Sequence, residues 1–193
     1  MGLLDTLLGR NKPVKANLDA LFGVPSAAIT LEAAMGLRPV GAGSVAVKIT
    51  EGAAFAAAHT EALGLLRFDP QATVTETQDD YGFRWSTVRT GADRVGELVT
   101  ALHGANTSYA GAGLGPALLC TTVGFAGEVA GTQRSLALVY LYKRGTFYPF
   151  APTGPQQRDS AFELEVRGAL GEDLPVEPDL NRWFPVWGAP GLS

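Results

Sequence analysis

The stretch LLCTTVGFAGEVAGTQRSLALVYLYKRGTFYPF, Leu118–Phe150, decides the fold, because three apolar, β-rich runs in it are cut by short clusters of turn residues. Leu118 to Phe125, Ser135 to Tyr142 and Phe147 to Phe150 read as strands, divided by the Gly127 to Gln133 loop and the Arg144-Gly145 turn. Successive strands with short connections pair antiparallel, and strands this apolar belong to the best-buried part of a sheet. Immediately upstream, Ala92 to about Tyr109 places Val95, Leu98, Val99, Leu102 and His103 on one helical face, and Gly111, Gly113 and Gly115 close it. Downstream, Ser160 followed by Glu163 has capping-box spacing, which predicts a helix over Asp159 to Leu170.

Farther out, Thr73 to Thr77 and Phe83 to Val88 alternate as a hairpin around Asp79, Asp80 and Gly82. Glu51 to Leu66 carries Phe55, His59, Leu63 and Leu66 at helical spacing, and Asp69-Pro70 ends it. Ala27 to Ala34 and Ser44 to Thr50 read as two further strands around the turn-rich Gly36 to Gly43, preceded by a short helix from Asn17 to Phe22. Leu3, Leu4, Leu7 and Leu8 form one face of a short amphipathic segment within residues 1–15. Residues 175–193, with four prolines, Trp183, Phe184 and Trp187, predict an irregular wrap with one short turn. The order is that of an α+β chain, an antiparallel sheet with helices packed mainly on one face. A length of 193 residues without a dividing linker suits one domain, 1–193.

Composition narrows the chemistry. A formal charge of −4 repels phosphate backbones, so nucleic acid is a poor partner. Cys120 is the only cysteine; it cannot form an intrachain disulfide and fits a reducing, cytoplasmic setting. No apolar run approaches the roughly 20 residues of a bilayer span, and Met1 to Arg10 lacks the basic start of a secretory signal.

No residue pattern carries a catalytic or metal centre. Gly111-x-Gly113-x-Gly115 follows a helix and precedes a strand, the reverse of a dinucleotide-binding turn. His59 and His103 are the only histidines, each on a predicted helix with no second His or Cys at ligand spacing. Glu163 and Glu165, two apart, fall on different faces of a helix. Expected, then, are no cofactor, no metal and no catalytic residue; the alternative is a small-molecule-binding domain or enzyme using His59 or His103 in a pocket. Two surfaces could hold a partner: the leucine face of Leu3, Leu4, Leu7 and Leu8, and the aromatic and basic turn with Tyr140, Tyr142, Arg144, Phe147 and Tyr148.

Three blocks together resemble a known family: Met1–Arg10 (MGLLDTLLGR) with Asn17–Phe22 (NLDALF), Leu138–Pro152 (LVYLYKRGTFYPFAP) and Glu177–Gly188 (EPDLNRWFPVWG). They are similar to the actinobacterial PspA-associated family PspAB. The resemblance implies an accessory protein of the phage-shock, envelope-stress response that binds a protein partner, the coiled-coil membrane-binding protein PspA, with an HtpX-like membrane protease as a further associate. It implies a location in the cytoplasm, at the inner face of the membrane through a partner. The order of long helix, apolar strands and closing helix also looks like YbjN and the type III secretion chaperones, which hold partner segments.

Overall fold

A computed structural model describes residues 16–191. The leucine segment of residues 1–15, with Leu3, Leu4, Leu7 and Leu8, lies outside the described residues. The chain builds a six-stranded antiparallel sheet in the order β2-β3-β1-β4-β5-β6, with helices on one side. Its strands are β1 (Arg38–Lys48), β2 (Thr73–Gln78), β3 (Phe83–Arg89), β4 (Leu118–Val129), β5 (Thr132–Leu141) and β6 (Thr146–Phe150). A minor hairpin, β7 (Pro152–Gly154) with β8 (Gln157–Arg158), follows. The helices are α1 (Val24–Met35), α2 (Ala53–Leu66), α3 (Val95–Gly111) and α4 (Ser160–Leu170). The α+β class and the helix-covered sheet agree with the sequence.

The period-two alternation of the strands sorts side chains into two cores. Toward the helices point Val45, Val88, Val123, Phe125, Leu136, Leu138, Tyr140 and Phe147, packed on Leu31, Leu98, Leu102, Phe162 and Val166. Toward the other face point Ala46, Trp85, Cys120, Val139, Tyr148 and Phe150, covered by Trp183, Val186 and Ala189 of the C-terminal segment. That segment is irregular apart from a short 3-10 turn at Leu180–Arg182, so the expected wrap is present. A β-bulge inserts Leu119 where Ala46 faces Cys120 but Val47 faces Leu118, which turns Leu118 and Cys120 to opposite faces despite their even spacing.

Three local readings are corrected. Ala27 to Ala34 is not a strand but the body of α1, so no hairpin joins it to Ser44–Thr50. Val24, Ala27, Ala28 and Leu31 are buried at helical intervals, Pro25 sits in the first turn, and Gly36 closes the helix at φ 72°. Alanine favours helix over strand, and that preference outweighs the lone β-branched pair Ile29-Thr30. The turn-rich segment that follows is strand β1, which runs between β3 and β4 at the centre of the sheet. There Gly43 lies so close to Leu102 Cδ1 and Thr122 O that an added Cβ would meet them at 2.6 and 2.8 Å. Finally, the Gly127–Gln133 loop is paired strand up to a two-residue turn, with Ala130 and Gly131 both at positive φ, 50° and 76°.

At α4 the cap is Asp159, whose Oδ1 accepts from Phe162 N at 3.0 Å, rather than Ser160. Glu163 does not complete a capping box; buried, it accepts from Ala151 N at 2.8 Å and Arg158 Nε at 2.9 Å, tying α4 to the end of β6 and to β8. Arg158 Nη1 in turn donates to Trp183 O at 2.7 Å, which fixes the wrap to the same point.

Candidate functional site

The aromatic and basic turn is largely consumed by the fold. Tyr140 and Phe147 are paired across β5 and β6 and face the helical core, with ring centroids 5.1 Å apart. Tyr148 faces the opposite core, stacks on Trp183, and donates from its hydroxyl to Phe184 O at 2.7 Å. Arg144 is half-buried and meets Glu177, which accepts from Arg144 Nε at 3.2 Å and from Thr146 Oγ1 at 2.8 Å. What this stretch presents to solvent is Lys143, with part of Tyr142 and Arg144. The structure therefore places Tyr140, Phe147 and Tyr148 inside the chain, which corrects their reading as exposed contacts, and leaves Tyr142 and Arg144 partly at the surface. One cross-strand aromatic pair on the helix face, and contacts of Tyr148 with Trp183 and of Phe150 with Trp187 on the other, account for the composition of this stretch.

The histidines are kept apart. His59, on α2, is buried between Tyr109 of α3 and Glu76 of β2: Nδ1 lies 2.6 Å from Tyr109 Oη and Nε2 lies 2.7 Å from Glu76 Oε1. Burial holds the imidazole below its usual pKa against the opposing pull of Glu76. The neutral ring thus accepts the Tyr109 hydroxyl proton at Nδ1 and donates from Nε2 to Glu76. Burial also pushes the Tyr109 phenol up to about 12. His103 sits on the outer side of α3, against the Phe22 ring at 4.6 Å, with Nε2 3.1 Å from Asp19 Oδ1. Cys120 is buried, and desolvation raises its thiol to about 12. Among the described residues no group of three or more His, Cys, Asp and Glu side chains is arranged to hold a metal ion.

Apolar surface gathers instead on the outer side of α2 and α3. A cavity of about 420 Å³ is lined by Leu65, Phe68, Pro70, Thr100, Ala101 and Gly104, with Asp69, Arg94 and Glu97 around it. A second, of about 570 Å³, adjoins it at Leu65 and Gly104 and continues past Glu61, His103 and Thr107 to Gly111. Phe68 is 86% exposed and Leu65 is 38% exposed, so two large apolar side chains stand uncovered along one groove. Gly104 lies beneath Leu65: an added Cβ there would touch Leu65 Cδ1 at 3.4 Å. Sequence reasoning missed this groove, because Leu65 falls off the core-facing stripe of α2, Phe68 lies past its end, and Gly104 appears as a mere interruption of α3.

The helical run Leu18–Met35, a 3-10 turn leading into α1, has a mean hydropathy of 1.3 and is long and apolar enough by length and composition to cross a membrane, which corrects the sequence reading. Here it packs on α4, α3 and β1, with Leu21, Val24, Ala27 and Leu31 fully covered, and Ser26 and Thr30 donate to Asp173. Phe22 and Ile29 on its other side are exposed, so it covers the core with one stripe only.

With the geometry in view, the comparisons identify the kind of protein. A family model described as PspA associated protein B matches residues 1–191. The chain belongs to this family. No curated protein and no solved structure matches it. The family description names an association with PspA.

Proposed function

We propose that this member of the PspA associated protein B family is a non-enzymatic binding protein that receives the apolar face of a PspA helix in the groove between α2 and α3. The observation that carries the reading is the exposure of Phe68 and Leu65 along a groove floored by Ala101 and Gly104. A helix laid there would bury its apolar stripe at the usual anchor spacing, and PspA, as a coiled-coil protein, offers such stripes. Glu61, Asp69 and Glu97 stand beside the groove against Arg94, which pairs with Asp69 and Glu97, and the remaining acidic excess favours a helix whose apolar stripe is flanked by basic residues. The complex would work in the cytoplasm at the inner face of the membrane, where PspA would bring the chain near an HtpX-like protease during envelope stress.

The decisive measurement is binding of purified PspA to the full chain with Phe68→Asp and with Leu65→Glu. Both side chains lie outside the core, so the fold should survive. A loss of affinity of ten-fold or more is expected for each, while the surface change Glu165→Lys leaves it unaltered; wild-type affinity in both groove variants would overturn the reading.

A second reading is favoured by one observation, that His103 lines the second cavity: a small ligand bound there. A ligand-dependent rise in melting temperature that His103→Ala abolishes would support it over the first.

A further inference from the structure

We infer that the helix received between α2 and α3 carries a basic side chain two turns from its apolar anchor, and that this side chain enters the second cavity, beside Glu61 and Ser108. The inference deepens the groove reading above and rests on it, but it does not depend on the partner being PspA.

The groove has two unlike ends. At the first, Leu65, Phe68, Pro70 and Ala101 give an apolar surface, and the cation there is already taken: Arg94 Nη1 lies 2.5 Å from Asp69 Oδ2, and its Nε lies 3.6 Å from Glu97 Oε1. At the second, Glu61, His103, Thr107 and Ser108 line a cavity whose wall holds no lysine or arginine. His103 is engaged by Asp19, whereas Glu61 enters no ion pair among the described residues. An apolar end followed by an acidic one favours a ligand of matching polarity, apolar and then basic.

Ser108 marks the same place independently. It is 8% exposed, and its hydroxyl has no hydrogen-bond partner among the described residues. Thr60 on α2 and Thr100 on α3 satisfy their hydroxyls by donating to the carbonyls of Ala56 and Gly96, four residues back. Ser108 does not use that outlet, although buried polar groups are as a rule hydrogen-bonded. An ammonium or guanidinium N–H donated to Ser108 Oγ supplies the bond it lacks, and Glu61 accepts a second, charge-assisted one.

The spacing of the two ends sets the register. On α3 the first cavity is lined from Arg94 to Gly104 and the second from His103 to Gly111, so their midpoints lie eight residues apart. At 1.5 Å per residue this is about 12 Å, which a helix lying along α3 covers in two turns, from i to i+7, with the long basic side chain reaching the remainder. Gly104 and Gly111 keep this side of α3 low; a Cβ added at Gly111 would meet nothing within 4 Å.

A second copy of this chain is a poorer occupant. The exposed stripe of α1 and the turn before it, with Phe22 and Ile29, belongs to a run, Leu18–Met35, that contains Asp19 and Glu32 and no lysine or arginine.

The test measures binding of helix-stapled peptides to the full chain by fluorescence anisotropy. All carry leucine at i and i+4, and they differ only in holding Lys, Gln or Glu at i+7, or Lys at i+5 on the opposite face. Expected is binding that Phe68→Asp weakens for every peptide, with the i+7 Lys peptide at least five-fold tighter than the i+7 Gln peptide. Glu61→Gln should erase that preference and Glu61→Lys should turn it towards Glu. Ser108→Ala should reduce it without changing the affinity for the Gln peptide. The proposal is overturned if the i+7 residue makes no difference, if Lys at i+5 serves as well, or if the preference survives Glu61→Gln. Any of these with the Phe68→Asp effect intact leaves the groove as a helix receptor. Absence of binding, or binding indifferent to Phe68→Asp, removes both readings.

Discussion

The two edges of the sheet are finished in opposite ways. At β6 the C-terminal segment closes the edge: Phe147 N donates to Pro175 O at 2.8 Å, Glu177 N donates to Phe147 O at 2.7 Å, and Phe147 bridges Val176 in parallel. At β2 no further strand pairs among the described residues, and five of its six residues are exposed. β2 is kept from sticking to other chains by composition, with Thr, Glu and Gln in place of apolar side chains. It is held to the helices through Glu76, His59 and Tyr109. An edge can be protected by covering it or by making it polar, and this molecule does one on each side. The covered edge carries most of the family-like residues of the tail; the open one carries the only buried imidazole.

The largest expected effect is at the covered edge. Trp183 is 6% exposed, stacks on Tyr148, and donates from Nε1 to Glu177 O at 3.0 Å. Replacing it by alanine removes a large apolar side chain from the second core and frees a buried carbonyl, a loss of about 3–5 kcal/mol. Urea denaturation of Trp183→Ala should report it. If the loss is under about 1 kcal/mol, the wrap is not what closes this face.

Next in size is the carboxylate that pins the same edge. Burial opposes the ionisation of Glu177, but hydrogen bonds from Thr146, from Asp179 N and from Arg144 outweigh it and hold its carboxyl below the usual carboxylate range. A depressed folded pKa means stability that is fully present above the ordinary value of 4.5 and is lost as pH falls below it through the folded value. Glu177→Gln should cost about 1.5–3 kcal/mol at neutral pH, the range for hydrogen bonds to a charged group. Its acid unfolding curve should be flatter than that of the parent below about pH 4.5. Superimposable acid curves would mean that other carboxylates govern the transition.

What could be read from sequence divides along similar physical lines. Strands β2 to β6, helices α2 to α4 and the tail wrap were legible because their signals are local: alternation, helical spacing of Leu98, Leu102 and Tyr109, Asp79 in its turn, and tryptophans seeking cover. Asp79 does accept from Tyr81 N, Phe83 N and Trp85 Nε1, as a turn residue should. Strand β1 was half hidden, because Gly41 and Gly43 look like a turn and are explained only by Thr90 O, Leu102 and Thr122 O pressing on them. Those neighbours are 49 to 79 residues away in sequence. Burial of Tyr140, Phe147 and Tyr148 could not be told from exposure, since an aromatic hairpin looks the same whether a partner or the chain's own tail covers it. The groove was invisible for a related reason: it is a relation between Leu65 and Gly104 across two helices, and neither residue alone announces the other.

The smallest effect should appear at the open edge, and it has its own pH window. The folded pKa of His59 is lowered by burial, so between that value and 6.5 the unfolded chain holds a proton that the folded chain does not. Stability therefore rises with pH across this interval and is complete above 6.5. His59→Gln should remove this slope while leaving the acid limb governed by Glu177. Tyr109→Phe deletes the hydroxyl that donates to Nδ1 and should cost about 1 kcal/mol, the net worth of one buried hydrogen bond. It should also leave the imidazole acceptor unpaired and easier to protonate, which raises the folded value toward 6.5 and so narrows and weakens the slope. Thermal melts from about pH 5 to 8, spanning the ordinary histidine range, would separate the two variants. A His59→Gln variant that keeps the full slope would mean that β2 is held to the helices by its pairing with β3 alone, and that the polar chain is a consequence of the edge rather than its anchor.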